Sequence, residues 1–492
     1  MSVRIVVSPA HHDPAPMPTA PRRRTPPPTA TAPVPPPLSA TDYGGEVALA
    51  RGKAARQQTP REDLGPCRIP RRDPVALLEA SHDGRVPELK AIRYGRMLAS
   101  PFAFFRGGAG LMAHDLARLP RSAVHTQLCG DAHLNNFGLF ASPERTLLFD
   151  INDFDETLPG PFDWDLRRLA ASFAVAADVQ GHDEATQRGL VDTLVDAYRD
   201  RMRRFAAMDL LDVWYYRLTS ETLLEMSGDD DYELEVIRKA RRKTSAVFAT
   251  EATERLPDGR WNIRDAPPFV YHCDAATDRE LARFRANEVR LLADYRGSLA
   301  SERRMLFDRY VLQDVAVKVP GVGSVGRRCY IALFVASGQH PLFLQFKEAA
   351  DSVLERPLGR SREAHDGERI VNGQRLLQAA SDIFLGWAGS AALGVEFYVR
   401  QLRDMKAAFD VSAFRRRDFH EYAEACGYAL ARAHAKAGCP DELLGYIGKS
   451  EALSTAMQDF AIAYRRQNEA DWQALQRAAR AGRVPAETSS ES

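Results

Sequence analysis

The sequence predicts an α+β fold with two lobes, a large helical lobe and a small β-rich lobe. Apolar residues recur with helical spacing over most of residues 160–300, as in the stretch from Ala185 to Ala206. β-branched and aromatic runs follow between residues 310 and 347, separated by glycine turns. The 492 residues are enough for more than one packed unit, because single cores stop growing at roughly 250–300 residues.

Composition sets the boundaries of these units. Twelve of the 30 prolines lie in the first forty residues, in a composition that cannot bury a core. The predicted units are a disordered tail over residues 1–60, a helical lobe over 61–304, a β-rich lobe over 305–403, C-terminal helices over 404–477 that pack on the helical lobe, and a disordered tail over 478–492.

Charge and cysteine content exclude several classes of partner. Lys plus Arg and Asp plus Glu both total 66, so no net charge attracts nucleic acid or an anionic membrane. No run approaches the ~20 apolar residues of a membrane-spanning helix. The six cysteines lack zinc-site spacing and are typical of reduced cytosolic thiols. We therefore expect a cytoplasmic protein that binds neither nucleic acid nor membrane.

Two neighbouring loops carry most of the acidic and amide side chains that suggest chemistry. Their sequences are CGDAHLNNFG, from Cys129 to Gly138, and FDINDFDE, from Phe149 to Glu156. Phosphoryl transfer needs one acid that positions the acceptor hydroxyl and a pair of oxygen ligands that hold Mg²⁺ on the phosphates. Asp131 suits the first task. Asn136, with either Asp153 or Asp150, suits the second.

The first loop resembles the catalytic loop of aminoglycoside phosphotransferases and choline kinases, which reads G-D-x-H-x-x-N. The resemblance implies that Asp131 is catalytic and that Asn136 binds metal. We expect His133 to orient the loop. Cys129 stands where that family has a histidine.

The second loop adds to the same resemblance. Asp153-Phe154 lies twelve positions before Asp165-Leu166, a separation typical of these kinases. The resemblance makes Asp153 the expected metal ligand, and Asp150 is the fallback.

A glycine-rich segment provides the expected nucleotide site, with Gly321, Gly323, Ser324 and Gly326 as the binding residues. A dinucleotide-binding fingerprint opens a helix at its third glycine, whereas a strand pattern follows here. A glycine loop between strands, followed by Lys347 on a further strand, is the protein-kinase arrangement.

Two further residues belong to this prediction. Glu368, on a predicted helix, is expected to pair with Lys347, and Glu363 competes for that role. Lys318, in the sequence VAVK, precedes the glycines, so we treat it as a strand residue near the nucleotide. ATP and Mg²⁺ are the predicted cofactors, and ATP is expected to lie between the lobes.

The chain order is unusual, because in protein kinases the glycine loop and lysine precede the catalytic loop. Either one of the two motifs is a coincidence or the fold is circularly permuted, and we favour a circularly permuted, bilobal protein-kinase-like fold. Permutation is tolerable because a site depends on three-dimensional placement, and chain ends at a domain surface can be relocated.

From Asp73 to about residue 475 the chain also resembles a bacterial uncharacterised family, domain of unknown function 2252. The resemblance is carried by IRYGRM from Ile92, SPFAFFRG from Ser100, the two acidic loops, GVGSVG from Gly321 and AASDIFLGW from Ala379. It implies no substrate.

Two other functions remain open at this stage. A pseudokinase would bind a nucleotide or a partner protein without turnover. A haloacid-dehalogenase-type phosphatase would use Asp153 as nucleophile and Asp155 as acid and base, since Asp153 to Thr157 fits D-x-D-x-[TV]. The acceptor, either a small molecule or a protein, is not readable from the sequence.

Overall fold

A computed structural model describes residues 44–228, 231–267, 269–272, 284–319, 325–390, 394–402 and 404–487. It contains 54% helix and 16% strand, which confirms the α+β class. None of the helices in these ranges is both long enough and apolar enough to cross a bilayer.

Short helices open the described chain and pack on its C-terminal end. They are α1 (Gly45–Gln58), α2 (Pro74–Ala80), α3 (Lys90–Leu98), α4 (Pro101–Gly107) and α5 (Ala109–Leu116). The α4 helix begins with a side-chain cap, because Ser100 accepts a hydrogen bond from the amide of Ala103 and a proline follows the cap.

Two short antiparallel strand pairs follow and carry the acidic loops. Their strands are β1 (His125–Leu128), β2 (Phe137–Ala141), β3 (Leu147–Ile151) and β4 (Leu158–Pro161). β2 pairs antiparallel with β3, and β1 pairs antiparallel with β4.

The middle of the chain is mainly helical. Its elements are α6 (Asp163–Val179), α7 (Glu184–Ala206), α8 (Leu210–Tyr215), α9 (Ser220–Ser227), α10 (Asp231–Arg242), α11 (Ser245–Ala252), β5 (Thr253–Arg255) and β6 (Trp261–Ile263). The helical spacing over residues 234–251 belongs to two helices, α10 and α11, because Thr244 leaves the helical conformation and caps α11.

A six-stranded antiparallel sheet forms the β-rich part. The elements of this part are β7 (Val270–Tyr271), α12 (Glu288–Ser298), α13 (Ser301–Phe307), β8 (Tyr310–Lys318), β9 (Cys329–Ala336), β10 (His340–Ala349), α14 (Glu355–Leu358), α15 (Asp366–Leu377), β11 (Gly386–Ser390) and β12 (Val395–Gln401). The strand order is β11-β12-β10-β9-β8-β7.

Both faces of this sheet are covered by residues that precede its long strand β8 in the chain. Tyr295 and Phe307, from α12 and α13, pack on one face with Phe346. Ala249 of α11 and Ile263 of β6 pack on the other. The boundary predicted at residue 304 therefore divides the sheet from helices that it needs to bury its apolar side chains.

Long helices close the chain: α16 (Arg416–Ala437), α17 (Pro440–Ile447) and α18 (Ala452–Arg480). They share the largest apolar core with α6, α7 and the β2–β3 pair, where the ring of Tyr422 lies 5.8 Å from that of Phe149.

The predicted tail over residues 1–60 is wrong for α1. A Cβ atom on Gly52 would lie 1.9 Å from the carbonyl oxygen of Glu442, and one on Gly445 would lie 2.3 Å from that of Leu49. Small residues thus let α1 cross α17 at backbone contact. This packing needs few large apolar side chains, which is why composition did not predict the helix.

Candidate functional site

The two acidic loops meet because strand pairing brings their ends together. Phe137 pairs with Ile151, so the residue before β2 and the residue after β3 are neighbours. The amide of Asn152 donates to the carbonyl oxygen of Asn136 at 2.8 Å. Residues 129–136 and 152–157 therefore form one continuous surface.

Asp165, in the first turn of α6, holds the first loop in place. The amides of Cys129 and Gly130 donate to its carboxylate oxygens at 2.8 and 3.0 Å. Gly130 has φ +85°, and a Cβ atom there would lie 2.2 Å from the carbonyl oxygen of Glu156. Only glycine fits this position, because it tolerates positive φ and leaves room for the second loop.

Asp131 projects from this loop beside a cation. The Nε atom of Arg168 donates to Asp131 Oδ1 at 2.8 Å, and Arg168 Nη2 donates to the carbonyl oxygen of Phe105 at 2.8 Å. Burial raises the pKa of Asp131 to about 6, and the Arg168 guanidinium only partly opposes this shift. A carboxylate with such a pKa is suited to accept a proton near neutral pH.

His133 lies under the same loop. Its backbone amide donates to the carbonyl oxygen of Asp131 at 2.8 Å, and its Nε2 atom is 3.8 Å from Asp131 Oδ2. Burial, followed by the nearby guanidinium of Arg106, lowers the pKa of His133. The imidazole is therefore neutral and shapes the loop without adding charge.

Asn136 and Asp153 offer oxygen atoms for a metal ion. Asn136 Nδ2 donates to the carbonyl oxygen of Asp131 at 2.8 Å. Because a carbonyl oxygen only accepts, this bond orients the amide and leaves Asn136 Oδ1 for another partner. Asp153 is half-buried, and its Oδ1 atom accepts from the amide of Asp155 at 3.3 Å. One amide and one carboxylate oxygen fit the ligand preference of Mg²⁺.

Lys347 of β10 reaches the second loop from the sheet. Its Nζ atom lies 2.5 Å from Asp155 Oδ2 and 3.9 Å from Asp153 Oδ2. Only 4% of Lys347 is exposed. Burial opposes the charge on Asp155, but the Lys347 ammonium outweighs it and holds the pKa of that carboxyl below its usual range.

More cations share this face of the sheet. Arg400 Nε donates to Gln345 Oε1 at 3.0 Å. Burial and the nearby Arg400 guanidinium lower the pKa of Lys406 to about 7. Arg400, Lys406 and Asn152 line a cavity of about 330 Å³. Lys347 and Arg400 therefore place positive charge beside the second loop, where it is suited to phosphate groups, while Lys406 is only partly charged near neutral pH.

Asp150, the fallback metal ligand, is instead part of a buried ion pair. Both of its carboxylate oxygens lie 2.8 Å from Arg432 Nη2, and they also accept from the amides of Ile151 and Ala379 at 2.9 Å. With 1% of its side chain exposed, Asp150 is enclosed by these partners. Its carboxylate stabilises the fold, which leaves Asp153 as the candidate ligand.

Glu368 does not pair with Lys347, contrary to the sequence prediction. Its neighbour Arg369 points into the protein and donates to the carbonyl oxygens of Asp155 and Thr157 at 3.0 and 2.9 Å. Because each residue turns a helix by about 100°, Glu368 falls on a less buried side of α15. Asp155 is the closest carboxylate to Lys347 among the described ion pairs.

The predicted glycine loop is described only at its end. Gly321, Gly323 and Ser324 lie outside the described residues. Gly326 has φ +89°, and its carbonyl oxygen accepts from the amide of Val86 at 2.7 Å. The segment connects β8 to β9, so Lys347 lies on the third strand of an antiparallel meander.

Lys318, at the end of β8, lies on the same sheet face as Lys347. Val317 pairs with Tyr330, and Lys347 pairs with Cys329. Directly paired residues point to the same side of a sheet, and Lys318 follows Val317, so it stands on the side of Cys329.

Sequence reasoning missed several residues that shape the site. Arg168 follows Asp165 by three positions on one helix, so both lie on the same helix face, and this spacing could have identified Arg168. Arg369 and Arg400 reach the loops across long sequence separations, and no local pattern marks them.

The chain belongs to a bacterial protein family. The family model described as "Uncharacterized protein conserved in bacteria (DUF2252)" matches residues 85–478, which include both acidic loops and the sheet. Comparisons with curated proteins and with solved structures found no match.

Proposed function

We propose that this protein is an ATP- and Mg²⁺-dependent phosphotransferase with a circularly permuted, protein-kinase-like arrangement, acting on a hydroxyl acceptor. The observation that carries the proposal is the position of Lys347, whose Nζ atom lies 3.9 Å from Asp153 Oδ2. In protein kinases a third-strand lysine and a metal-binding aspartate meet at the same nucleotide phosphates.

Each loop residue has a role in this proposal. Asp131 orients the acceptor hydroxyl and receives its proton. The acceptor oxygen forms a bond to the γ-phosphorus, and the bond from that phosphorus to the β–γ bridging oxygen breaks as ADP leaves. Lys347 and Arg400 offset the negative charge of the phosphates.

Asn136 Oδ1 and the Asp153 carboxylate are the residues that would hold Mg²⁺. When bound, the ion neutralises charge on the β- and γ-phosphate oxygens. The fit is supported by the hydrogen bond from Asn136 Nδ2 to Asp131, since it directs the amide oxygen away from the loop backbone. Lys347 would then exchange part of its contact with Asp155 for the nucleotide.

The chain order is compatible with this site. Both acidic loops come from residues 129–157, and the lysine-bearing strand comes much later. Hydrogen bonds from Arg369 to Asp155 and from Arg400 to Asn152 join the two parts. Catalysis depends on this spatial assembly and is indifferent to which half is synthesised first.

A pseudokinase is the second candidate, because nucleotide binding without transfer needs the same cations. The proton-accepting environment of Asp131 favours turnover over binding alone. The phosphatase reading is less favoured: Asp153 follows β3 of an antiparallel pair, and β4 comes next, whereas that class needs a strand followed by a helix in a parallel sheet.

Calorimetry with ATP and Mg²⁺ tests the proposal. We expect the wild type to bind ATP with Mg²⁺, and Asp153→Asn to lose the Mg²⁺-dependent part of that binding. Asp308→Asn, which changes an exposed carboxylate paired with Arg296, is the matched control. Absence of ATP binding with and without Mg²⁺ in the wild type would refute the nucleotide site.

Phosphate release separates the two nucleotide-binding candidates. A kinase with water as a poor acceptor hydrolyses ATP slowly, and Asp131→Asn should abolish this hydrolysis while ATP binding remains. Binding without any hydrolysis, in wild type and variant alike, would favour the pseudokinase.

A further inference from the structure

A group of arginines comes together where α3 and α4 meet the segment that leads into β9. We call Arg85, Arg93, Arg106 and Arg327 the arginine cluster. Arg85 Nε donates to the carbonyl oxygen of Ser81 at 3.0 Å, and Arg93 Nη1 donates to Ser81 Oγ at 2.9 Å. These bonds hold two guanidinium groups close together.

Arg327 lies two residues before β9 and belongs to the same group of guanidinium side chains. A Cβ atom on Gly84 would lie 3.6 Å from Arg327 Nη1, so this guanidinium group lies beside the backbone that leads to Arg85. Arg85 Nη1 also donates to the carbonyl oxygen of Val325 at 2.6 Å. The cluster therefore borders the end of the glycine segment.

The C-terminal end of α4 connects the cluster to the catalytic loop. Arg93 Nη2 donates to the carbonyl oxygen of Gly107 at 3.1 Å, and Arg168 donates to that of Phe105. Arg168 in turn binds Asp131. Arg106 lies between the two carbonyl groups in sequence, and its charge acts on His133. The end of α4 thus links the cluster to Arg168 and, through it, to the proposed acceptor-activating carboxylate.

Arg93 is a buried cation with neutral partners. It is 2% exposed, and its hydrogen-bond partners are Ser81, the carbonyl of Gly107 and His82 Nε2, the last at 3.2 Å. Burial lowers the pKa of His82 to about 4, so this imidazole is neutral at neutral pH. Within the described ranges no carboxylate lies within 4.0 Å of Arg93, and its Nε atom has no hydrogen-bond partner.

Carboxylates oppose only part of the cluster's charge: Glu156 acts on both Arg85 and Arg93, and Glu79 acts on Arg93. Burial, followed by the charges of Arg93 and Arg327, lowers the pKa of Arg85. Glu348 offsets part of the charge, since its Oε1 atom lies 3.4 Å from Arg327. An isolated buried cation is costly, and a bound anion relieves that cost.

The carbonyl groups at the end of α4 are a partial explanation for these arginines, because a helix C-terminus stabilises cations. They account for one bond each from Arg93 and Arg168. Arg85 binds the carbonyl of Val325 instead, and Arg327 pairs with Glu348. Helix capping therefore accounts for Arg93, whereas Arg85 and Arg327 are held by other contacts.

We propose that the arginine cluster is an oxyanion-binding site that holds a carboxylate or phosphate group of the acceptor. This inference rests on the proposed phosphotransferase function, because that function defines the acceptor. An acceptor with an oxyanion at the cluster presents a hydroxyl group to Asp131. Guanidinium groups suit both oxyanions, because their parallel N–H donors match paired oxygen atoms.

The test uses the full chain and two probes, inorganic phosphate and malate. Each is titrated by calorimetry into protein saturated with Mg²⁺ and a non-hydrolysable ATP analogue, so that the γ-phosphate position is already filled. We expect at least one probe to bind. Binding of phosphate alone indicates a phosphorylated acceptor, and binding of malate alone indicates a carboxylate.

Variants assign the binding to the cluster. Arg93→Gln and Arg327→Gln are each expected to weaken probe binding by about tenfold or more. Arg290→Gln, which changes an exposed arginine of α12, is the control and should bind as the wild type does. If Arg93→Gln fails to fold, the half-buried Arg327→Gln decides. Failure of both probes to bind, or equal binding in all variants, would overturn the inference.

The outcome separates this inference from the proposed function. If the protein does not bind the ATP analogue, the titrations are made without it on Lys347→Met, which removes the lysine of the proposed nucleotide site. Probe binding there that depends on Arg93 or Arg327 keeps the oxyanion site and refutes the kinase. Analogue binding without probe binding refutes only the oxyanion site.

Discussion

Lys347 and Asp155 form a 2.5 Å ion pair between the sheet and the second acidic loop. The pair links strand β10 to the second acidic loop at the edge of the site. It also places the ammonium group where it contacts Asp153, the candidate metal ligand. One side chain therefore supports both the fold and the proposed chemistry.

Breaking this pair from one side should be costly. We expect Lys347→Met to lower the free energy of unfolding by about 3 kcal/mol, because it leaves the Asp155 carboxylate without its ammonium partner. Adding Asp155→Asn should recover part of the loss. Urea denaturation measures both variants, with Glu368→Gln as the control that stays near wild type. Equal losses in the single and double variants would contradict the coupling.

Substitutions at the two candidate metal ligands should differ in their effects on stability and on Mg²⁺-dependent binding. Asp150→Asn should lower the free energy of unfolding by about 3 kcal/mol, because the buried Arg432 loses its counter-charge. Asp153→Asn should change it by less than about 1 kcal/mol, since Asp153 is partly exposed. Denaturation tests stability, and calorimetry with Mg²⁺ and ATP tests binding. A stable Asp150→Asn protein that has lost Mg²⁺-dependent binding would reverse the assignment.

Asp131 predicts a dependence of stability on pH. Its pKa of about 6 in the folded protein exceeds the ~3.9 of an unfolded chain, so the folded state retains a proton that the unfolded chain releases. The wild type should therefore lose stability as the pH rises from about 4 to about 6. As the pH rises from 4 to 8, without Mg²⁺ or nucleotide, the stability of Asp131→Asn relative to the wild type should rise by about 1–3 kcal/mol, in addition to a pH-independent cost of leaving Arg168 without its counter-charge.

Thermal melts at pH 4 and pH 8 check this difference. The relative gain should be largely absent at pH 4, where Asp131 is protonated in the folded state and about half protonated in the unfolded chain. Activity has the opposite trend, because transfer needs the ionised carboxylate and should rise as the pH passes about 6. A stability difference between the two proteins that is the same at both pH values would contradict the shifted pKa.

Gly130, in the catalytic loop, and Gly181, which follows α6, are a matched pair of glycines for substitution. Both have positive φ, but a Cβ atom on Gly181 meets nothing within 4 Å, whereas one on Gly130 meets Glu156 at 2.2 Å. We expect Gly181→Ala to cost about 1 kcal/mol of stability and Gly130→Ala about 3 kcal/mol or more. Chemical denaturation measures both, and equal costs would show that the contact with Glu156 is unimportant.

Local patterns predicted the α+β class and identified Asp131, Asn136 and Asp153 as one group, because these residues lie within two short loops whose spacing is visible in the chain. The choice between Asp150 and Asp153 required Arg432, which is distant in sequence. The error at Glu368 has a similar origin, since the register of α15 against the sheet decides whether Glu368 or Arg369 points inward. Such registers depend on tertiary packing, and propensity does not contain them.

The Asp150–Arg432 pair has a consequence for protein synthesis. Its two residues are 282 positions apart, so Asp150 leaves the ribosome on the order of tens of seconds before its counter-ion at typical elongation rates. Until Arg432 arrives, burying β3 would strand a carboxylate in an apolar interior. The nascent chain must therefore keep its first acidic hairpin hydrated, and completion of the site is a late, nearly post-translational event.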